Sequence, residues 1–289
     1  MNRTMELEKF EIEAGLKEPV TLLHLSDTHI CLADERDNER KNVLAAGRIK
    51  SAFGGSNEQI EQWLDEAMAF GREQADLIIH TGDLVDFVSA ANLDFLKAKL
   101  KTEDVFFAPG NHEFSQYVGE AKEDTAYKMQ SFDMVQAASP NDLEFAVRKV
   151  GGLRLIALNN GYYFFLPEQV TALKAELARE EMPTILIMHN PIHTGELYRF
   201  VREELGKPCA YLVGTPDELM QDYAPDRYEQ QKADAVTLGM IELIKTDPQI
   251  KAILAGHLHH GHRSELRPGL PQIIAGAGFF NKCALIRVR

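Results

Sequence analysis

The chain has 289 residues, 45% of them hydrophobic and 26% charged, with a formal net charge of −13. That length builds one large or two small domains around a real core, no apolar run approaches the ~20 residues that span a bilayer, and the acidic balance repels duplex DNA unless a local basic patch outweighs it, which the Lys/Arg pattern does not offer. The three cysteines, Cys31, Cys209 and Cys283, are far apart with no C-x-x-C pair, and the charged N-terminus has no apolar signal core; neither a disulfide framework nor a thiolate zinc site is suggested, and a reducing, cytoplasmic setting is expected.

In chain order, "MELEKFEIEAG" alternates and predicts an edge strand, and "VTLLHLSD" (20–27) predicts a buried one. A polar stretch, 32–55, follows as a loop. Ser56 and Gln59 form a capping-box pattern opening an amphipathic helix to about Gln74, with Trp63, Leu64, Ala67, Met68 and Phe70 toward the core. Strands are predicted at 75–83 and 104–111, with a short helix capped by Asn92 between them. The runs on either side of Gly151-Gly152, over 143–160, read as a hairpin. Pro167 opens a helix to about Glu180, followed by a strand over 184–190. Residues 193–231 are polar and predict only short helices and loops; a helix from about Lys232 to Lys245 leads to a strand at 250–257, and "PQIIAGAG" and "KCALIRVR" close the chain as strands. Strands alternating with helices, without repeats or long linkers, predict a single α/β domain over 1–289 with mixed sheets.

Five of these strands stop at residues able to bind a metal or a phosphate: Asp27-Thr28-His29, Gly82-Asp83, Gly110-Asn111-His112-Glu113, His189-Asn190-Pro191 and Gly256-His257-Leu258-His259. In open α/β sheets ligands sit beyond the carboxyl ends of strands, so residues spread over 230 positions can meet at one edge. The donors are carboxylates, imidazoles and one amide oxygen without sulfur, a set suited to Mn, Fe, Zn, Co or Ni. Two ions ~3.5–4 Å apart need a bridging anion, and Asp83 is the natural one.

The ordered motifs D-x-H, G-D-x-x-D, G-N-H-E, H-x-P and G-H-x-H, spanning 27–259, resemble the calcineurin-like metallophosphoesterase superfamily. The resemblance implies a four-layer α/β/β/α sandwich with two mixed sheets and a centre of two divalent or mixed-valence metal ions, Mn, Fe or Zn. By analogy Asp27, His29 and His259 hold one ion, Asn111, His189 and His257 the other, and Asp83 bridges them. His112, with Asn111, would face the substrate phosphate and act as proton donor or charge stabiliser, oriented by Asp86, the last residue of "GDLVD". The implied reaction is hydrolysis of a small phosphomonoester or phosphodiester, of nucleotide, cyclic nucleotide or glycerophosphodiester type, by attack of a metal-bridging hydroxide. A nuclease of the same superfamily and a non-catalytic metal-binding scaffold are the alternatives.

Two positions depart from the family pattern. Asn190 stands where many members carry a second His, and Phe87 follows Asp86 where protein phosphatases carry a phosphate-gripping Arg. Arg199, Arg202, Arg227 and Arg263 are candidate substitutes. Substrate choice is expected to lie in loops 32–55, 114–142 and 193–231, with Tyr117, Tyr162, Tyr163, Phe164, Tyr198 and Tyr211 available either to stack on a base or to pack. His24 and His80 read as core or supporting histidines, and His193, His260 and His262 as loop residues or pocket wall.

Overall fold

The computed structural model describes residues 4–101, 105–120 and 123–289; positions 1–3, 104, 121 and 122, which the expected ranges include, lie outside them. Among the described residues, eleven strands form two mixed sheets. The first, in order β1-β11-β2-β3-β4, joins β1 (Glu6–Ile12), β11 (Lys282–Val288), β2 (Val20–Leu25), β3 (Leu77–His80) and β4 (Val105–Phe107). The second, in order β5-β6-β7-β8-β10-β9, joins β5 (Phe145–Val150), β6 (Leu153–Leu158), β7 (Thr184–Ile187), β8 (Ile250–Ala255), β10 (Leu270–Ile274) and β9 (His262–Arg267). The runs β2-β3-β4 and β6-β7-β8 are parallel, so their C-terminal ends lie along one edge of each sheet.

The period of two in the strands sorts residues between layers. Leu22, Leu77, Ile79 and Phe106 of the first sheet meet Leu155, Ile185, Ile187 and Leu254 of the second in a core between the sheets. Their neighbours Leu23 and Ile78 face outward onto α2 (Asn57–Gln74), which presents Ile60, Trp63, Leu64 and Met68. On the far side Ile156, Leu186 and Ile253 pack against α6 (Pro167–Arg179) and α9 (Ala235–Thr246) through Leu173, Leu177, Met240 and Ile244. This is the expected α/β/β/α sandwich. Helix α2 lies so close that a Cβ on Gly71 would sit 2.6 Å from a Leu23 methyl.

Several boundaries differ from the sequence reading. The segment 32–55 carries a helix, α1 (Glu39–Ser51), whose buried stripe is only Ala45 and Ile49, too thin to read as amphipathic. Helix α3 (Ala90–Lys101) is capped by Ser89, whose hydroxyl accepts the Asn92 N–H; Asn92 instead donates to the Phe87 carbonyl and accepts from Leu32 N–H. Short helices α4 (Thr125–Met129) and α5 (Phe132–Ala138) occupy the 114–142 segment, and α7 (Gly195–Arg199), a π-helical turn Phe200–Glu204 and α8 (Pro225–Gln231) occupy 193–231. Strand β9 was not foreseen, because its alternation is charged and only Ser264 is buried. All three cysteines are free and buried. No helix among the described residues is long and apolar enough to cross a membrane.

Candidate metal centre

Strands β2, β3, β4, β7 and β8 deliver the five motifs to the shared edge of the two sheets. Asp27, His29, Asp83 and His259 form one group of donor atoms within 4.8 Å of one another, and Asp83, His189 and His257 form a second. Asp83 belongs to both, its Oδ2 lying 3.5 Å from His29 Nε2 and 3.1 Å from His189 Nε2. His259 Nε2 lies 3.4 Å from Asp27 Oδ1 and 3.1 Å from His29 Nε2. Metal–ligand bonds of about 2.0–2.2 Å imply edges of roughly 3.0–3.5 Å between neighbouring ligand atoms, the spacing found here.

The backbone at these donors is unusual. Asp27, His29, Asp83, His257 and His259 all have positive φ, between 51° and 71°. Glycines precede the donor turns because there is no room for a side chain: a Cβ on Gly110 would collide with the Asp83 carboxylate, and one on Gly256 with the Ser26 hydroxyl.

Hydrogen-bond partners set the imidazole tautomers. His29 Nδ1–H donates to Asp86 Oδ1 at 3.0 Å, and His189 Nδ1–H donates to the Thr81 carbonyl at 2.7 Å. His257 Nε2 is hydrogen-bonded to the Tyr163 hydroxyl at 2.8 Å. His189 Nε2 and His257 Nδ1 face each other at 3.1 Å, close enough to share one proton or to bind one cation. Asn111 Nδ2 donates to Glu123 Oε1 at 3.2 Å, while its Oδ1 is buried without a hydrogen-bond partner. An acceptor left bare at such a depth costs energy unless a cation takes it up. The donor set and its orphaned oxygen thus fit divalent metal ions.

Charge follows the same geometry. Burial pushes the Asp27 and Asp83 carboxyls up, but the imidazoles around them win and hold both well below the usual carboxylate range. Burial opposes a charge on His189, yet Asp83 and Asp27 raise it to about 9. His257 and His259 go the other way, His259 to about 4, because burial and neighbouring imidazoles disfavour a second cation.

His112 stands outside both groups, on the wall of a cavity of ≈ 240 Å³ lined by Asp83, Tyr211, His257, Leu258, His259 and Lys207, with Val201 and Leu205. Its Nδ1–H is shared between the Asp86 carbonyl at 2.7 Å and Asp86 Oδ1 at 3.0 Å. Burial would lower its pKa, but the Asp83 and Asp86 charges raise it to about 10.

The structure also brings in residues that sequence reasoning missed. The buried Glu113 carboxylate accepts Asp83 N–H and Gly110 N–H on Oε2, at 2.8 and 2.7 Å, and Leu84 N–H and Val85 N–H on Oε1, at 2.7 and 3.3 Å. Its place in G-N-H-E was visible, but not the amides it gathers. Arg48, from the unforeseen α1, contacts Asp86. Tyr163, considered for base stacking, is buried against His257, and Tyr162 is buried in the core; Tyr211 does line the cavity. Asn190 is locked inside: its Nδ2 donates to the Asn160 and Gly161 carbonyls, and Asn160 Nδ2 donates back to the Asn190 carbonyl. None of the four candidate arginines lines the cavity; Arg202 is held by Asp222 and the Lys207 carbonyl, and Lys207 is the cation at the wall. His24 and His80 bond to Thr81 and Thr28 as supporting residues, and His262 stacks on Phe200 with ring centroids 4.2 Å apart.

A four-layer sandwich with clustered carboxylates and imidazoles at its strand ends defines a metal-dependent phosphoester hydrolase. Residues 20–261 match the family described as calcineurin-like phosphoesterase, and the chain belongs to that family, whose members depend on a dinuclear metal centre. Curated proteins give no significant match. Among solved structures, the chain is similar to a dimetal phosphatase from Danio rerio, with 15% identity, 93% of this chain and 92% of that one covered, and a TM-score of 0.51. It also aligns with a phosphopantetheinyl hydrolase from Mycobacterium tuberculosis (15% identity, 90% of each chain, TM-score 0.44) and a 5'-nucleotidase from Candida albicans (14% identity, 96% of this chain, 47% of that one, TM-score 0.42).

Proposed function

We propose that the chain hydrolyses a small phosphomonoester or phosphodiester of the nucleotide, cyclic nucleotide or glycerophosphodiester type, at a centre of two metal ions. Asp27, His29 and His259 hold one ion, Asn111, His189 and His257 the other, and Asp83 is shared. The observation that carries this reading is the membership of Asp83 in both donor groups, on the wall of a single cavity. Nitrogen and oxygen donors suit Mn, Fe or Zn. When bound, such ions supply Lewis acidity toward phosphoryl oxygens and acidify water between them.

The remaining work falls to the chain. Two carboxylates, Asp27 and Asp83, against two divalent ions leave the site net positive, which favours a phosphate. With His112 Nδ1–H fixed on Asp86, the proton it can give is the one on Nε2, delivered to the leaving oxygen. The cavity, ≈ 240 Å³, is below the roughly 300–1,000 Å³ common for drug-sized ligands, which favours a compact substrate. Lys207 offers that substrate a cation, and Leu258, Val201 and Tyr211 an apolar wall. Phe87, fully buried after Asp86, leaves no arginine there to grip a phosphoprotein.

The test is turnover of p-nitrophenyl phosphate and its bis ester by Mn²⁺-loaded protein. On phenyl phosphate, whose leaving oxygen needs a proton, His112→Ala should lower kcat by about 10²–10⁴ while bound metal is retained, with a much smaller loss on p-nitrophenyl phosphate, and Asp83→Asn should lose metal and activity together. Failure to hydrolyse both p-nitrophenyl esters, or a wild-type rate of His112→Ala on phenyl phosphate, would overturn the proposal.

A further inference from the structure

We infer that Arg48 is a positioning residue for this reaction: its guanidinium fixes the one carboxylate on which the proton donor and a metal-binding histidine both hang. The inference rests on the reading of His112 as proton donor. Asp86 is fully buried, and its Oδ1 accepts from His29 Nδ1 and His112 Nδ1, each at 3.0 Å. A carboxylate is free to rotate about its own bond, so two rings sharing a single oxygen do not by themselves fix its plane. Arg48 does. Its Nε lies 2.7 Å from Oδ2 and its Nη2 3.0 Å from Oδ1, a two-point grip that sets the plane and leaves Oδ1 between the rings.

The helix that carries Arg48 is held to serve this purpose. Asn38 caps α1 by accepting the Lys41 N–H, and Ala45 and Ile49 dock the helix on the core. Beyond its end, Phe53 stacks on the His29 ring with centroids 4.9 Å apart and planes at 22°, and the Arg48 guanidinium lies 5.2 Å from the Phe53 centroid. One segment therefore braces His29 twice, through Asp86 and through Phe53. With both contacting nitrogens on Asp86, Arg48 is engaged behind the site, and it does not line the cavity. A lysine would keep the charge but reach as a point donor without the fork.

The discriminating experiment compares p-nitrophenyl phosphate, whose leaving group departs without a proton, with phenyl phosphate, whose more basic leaving group needs one. Arg48→Lys and Arg48→Met should each lower kcat on phenyl phosphate by about 10–100-fold, with p-nitrophenyl phosphate changed by no more than about threefold, because misplacing a catalytic group selectively penalises the step it serves. KM and Mn²⁺ stoichiometry should hold. Equal losses on both esters would mean a purely structural role, and a rise in KM alone would mean a phosphate contact; either overturns the inference. His112→Ala, run in parallel, separates the two levels. If it shows the leaving-group bias and the Arg48 variants do not, only the inference on Arg48 falls; if it shows none, the proton-donor reading falls and takes the inference with it. Arg48→Lys keeps the test valid should Arg48→Met fail to fold.

Discussion

Glu113→Gln replaces one atom in a carboxylate that binds no metal, yet it should unsettle the whole centre. Each Glu113 oxygen accepts two backbone amides, and the four donors belong to the two turns that carry Asp83 and Asn111. A glutamine has one acceptor oxygen, so in either orientation its NH₂ points at two amide donors. Hydrogen bonds to charged groups contribute about 1.5–3 kcal/mol each, so losing two costs roughly 3–6 kcal/mol. That is a large share of the 5–15 kcal/mol by which a domain is ordinarily stable. At about 2.1 cal/mol/K of unfolding entropy per residue, a chain of this length should lose roughly 5–10 °C in Tm. Thermal unfolding in chelator measures the loss directly, and elemental analysis should show weakened metal binding, since the Asp83 turn is no longer held from behind. A Tm within about 1 °C of wild type, with metal content unchanged, would refute the view that Glu113 braces the two turns.

Tyr163→Phe removes the hydroxyl that orients His257, and should weaken metal affinity by about 10–100-fold with the fold intact, read by chelator competition; unchanged affinity would show that His257 is oriented by other means. His24 is buried and neutral, its pKa held down to about 3 by burial and then by His80, against an unfolded value of 6.5. A histidine with a depressed folded pKa adds stability that is complete above pH 6.5 and is lost as pH falls toward the folded value, because the unfolded chain takes the proton first. In chelator, His24→Gln should flatten the stability slope between pH 6.5 and 5 by about 1.4 kcal/mol per pH unit, measured by urea unfolding; identical slopes would refute it.

The sequence carried the donors better than their supports, and the reason is physical. A donor must stand where a strand ends and the backbone comes close, so Asp83, Asn111 and His257 follow glycines and apolar runs that are plain in one dimension. The support for Asp86 comes from Arg48, 38 positions earlier, on a helix whose buried stripe is two residues. The acceptor role of Glu113 needs four amides that only the fold assembles. Nothing local marks Tyr163 as the partner of His257, 94 positions later. The α/β class was legible because its inner strands are short apolar runs and its main helices are amphipathic, and the four-layer sandwich followed from the motif resemblance; β9 was not legible, because an edge strand with one buried residue has no apolar rhythm.

The strained donors and their unread supports belong together. Positive φ at Asp27, His29, Asp83, His257 and His259 ends each strand abruptly and re-aims the side chain into the shared edge. Such conformations cost of order 1–3 kcal/mol at most residues, and Asp and His are among the side chains that tolerate them better. Five together persist only where surrounding bonds over-determine them. The turns supply those bonds to one another: Asp27 N–H donates to the Gly82 carbonyl at 3.0 Å, His29 N–H to the Asp83 carbonyl at 2.9 Å, and His257 N–H to the Asp27 carboxylate at 3.0 Å. The turns that carry Asp27, His29, Asp83 and His257 are thereby tied to one another before any cation arrives. A site built this way spends little of its metal-binding energy on ordering its own turns, and any weakness in one turn spreads to the next.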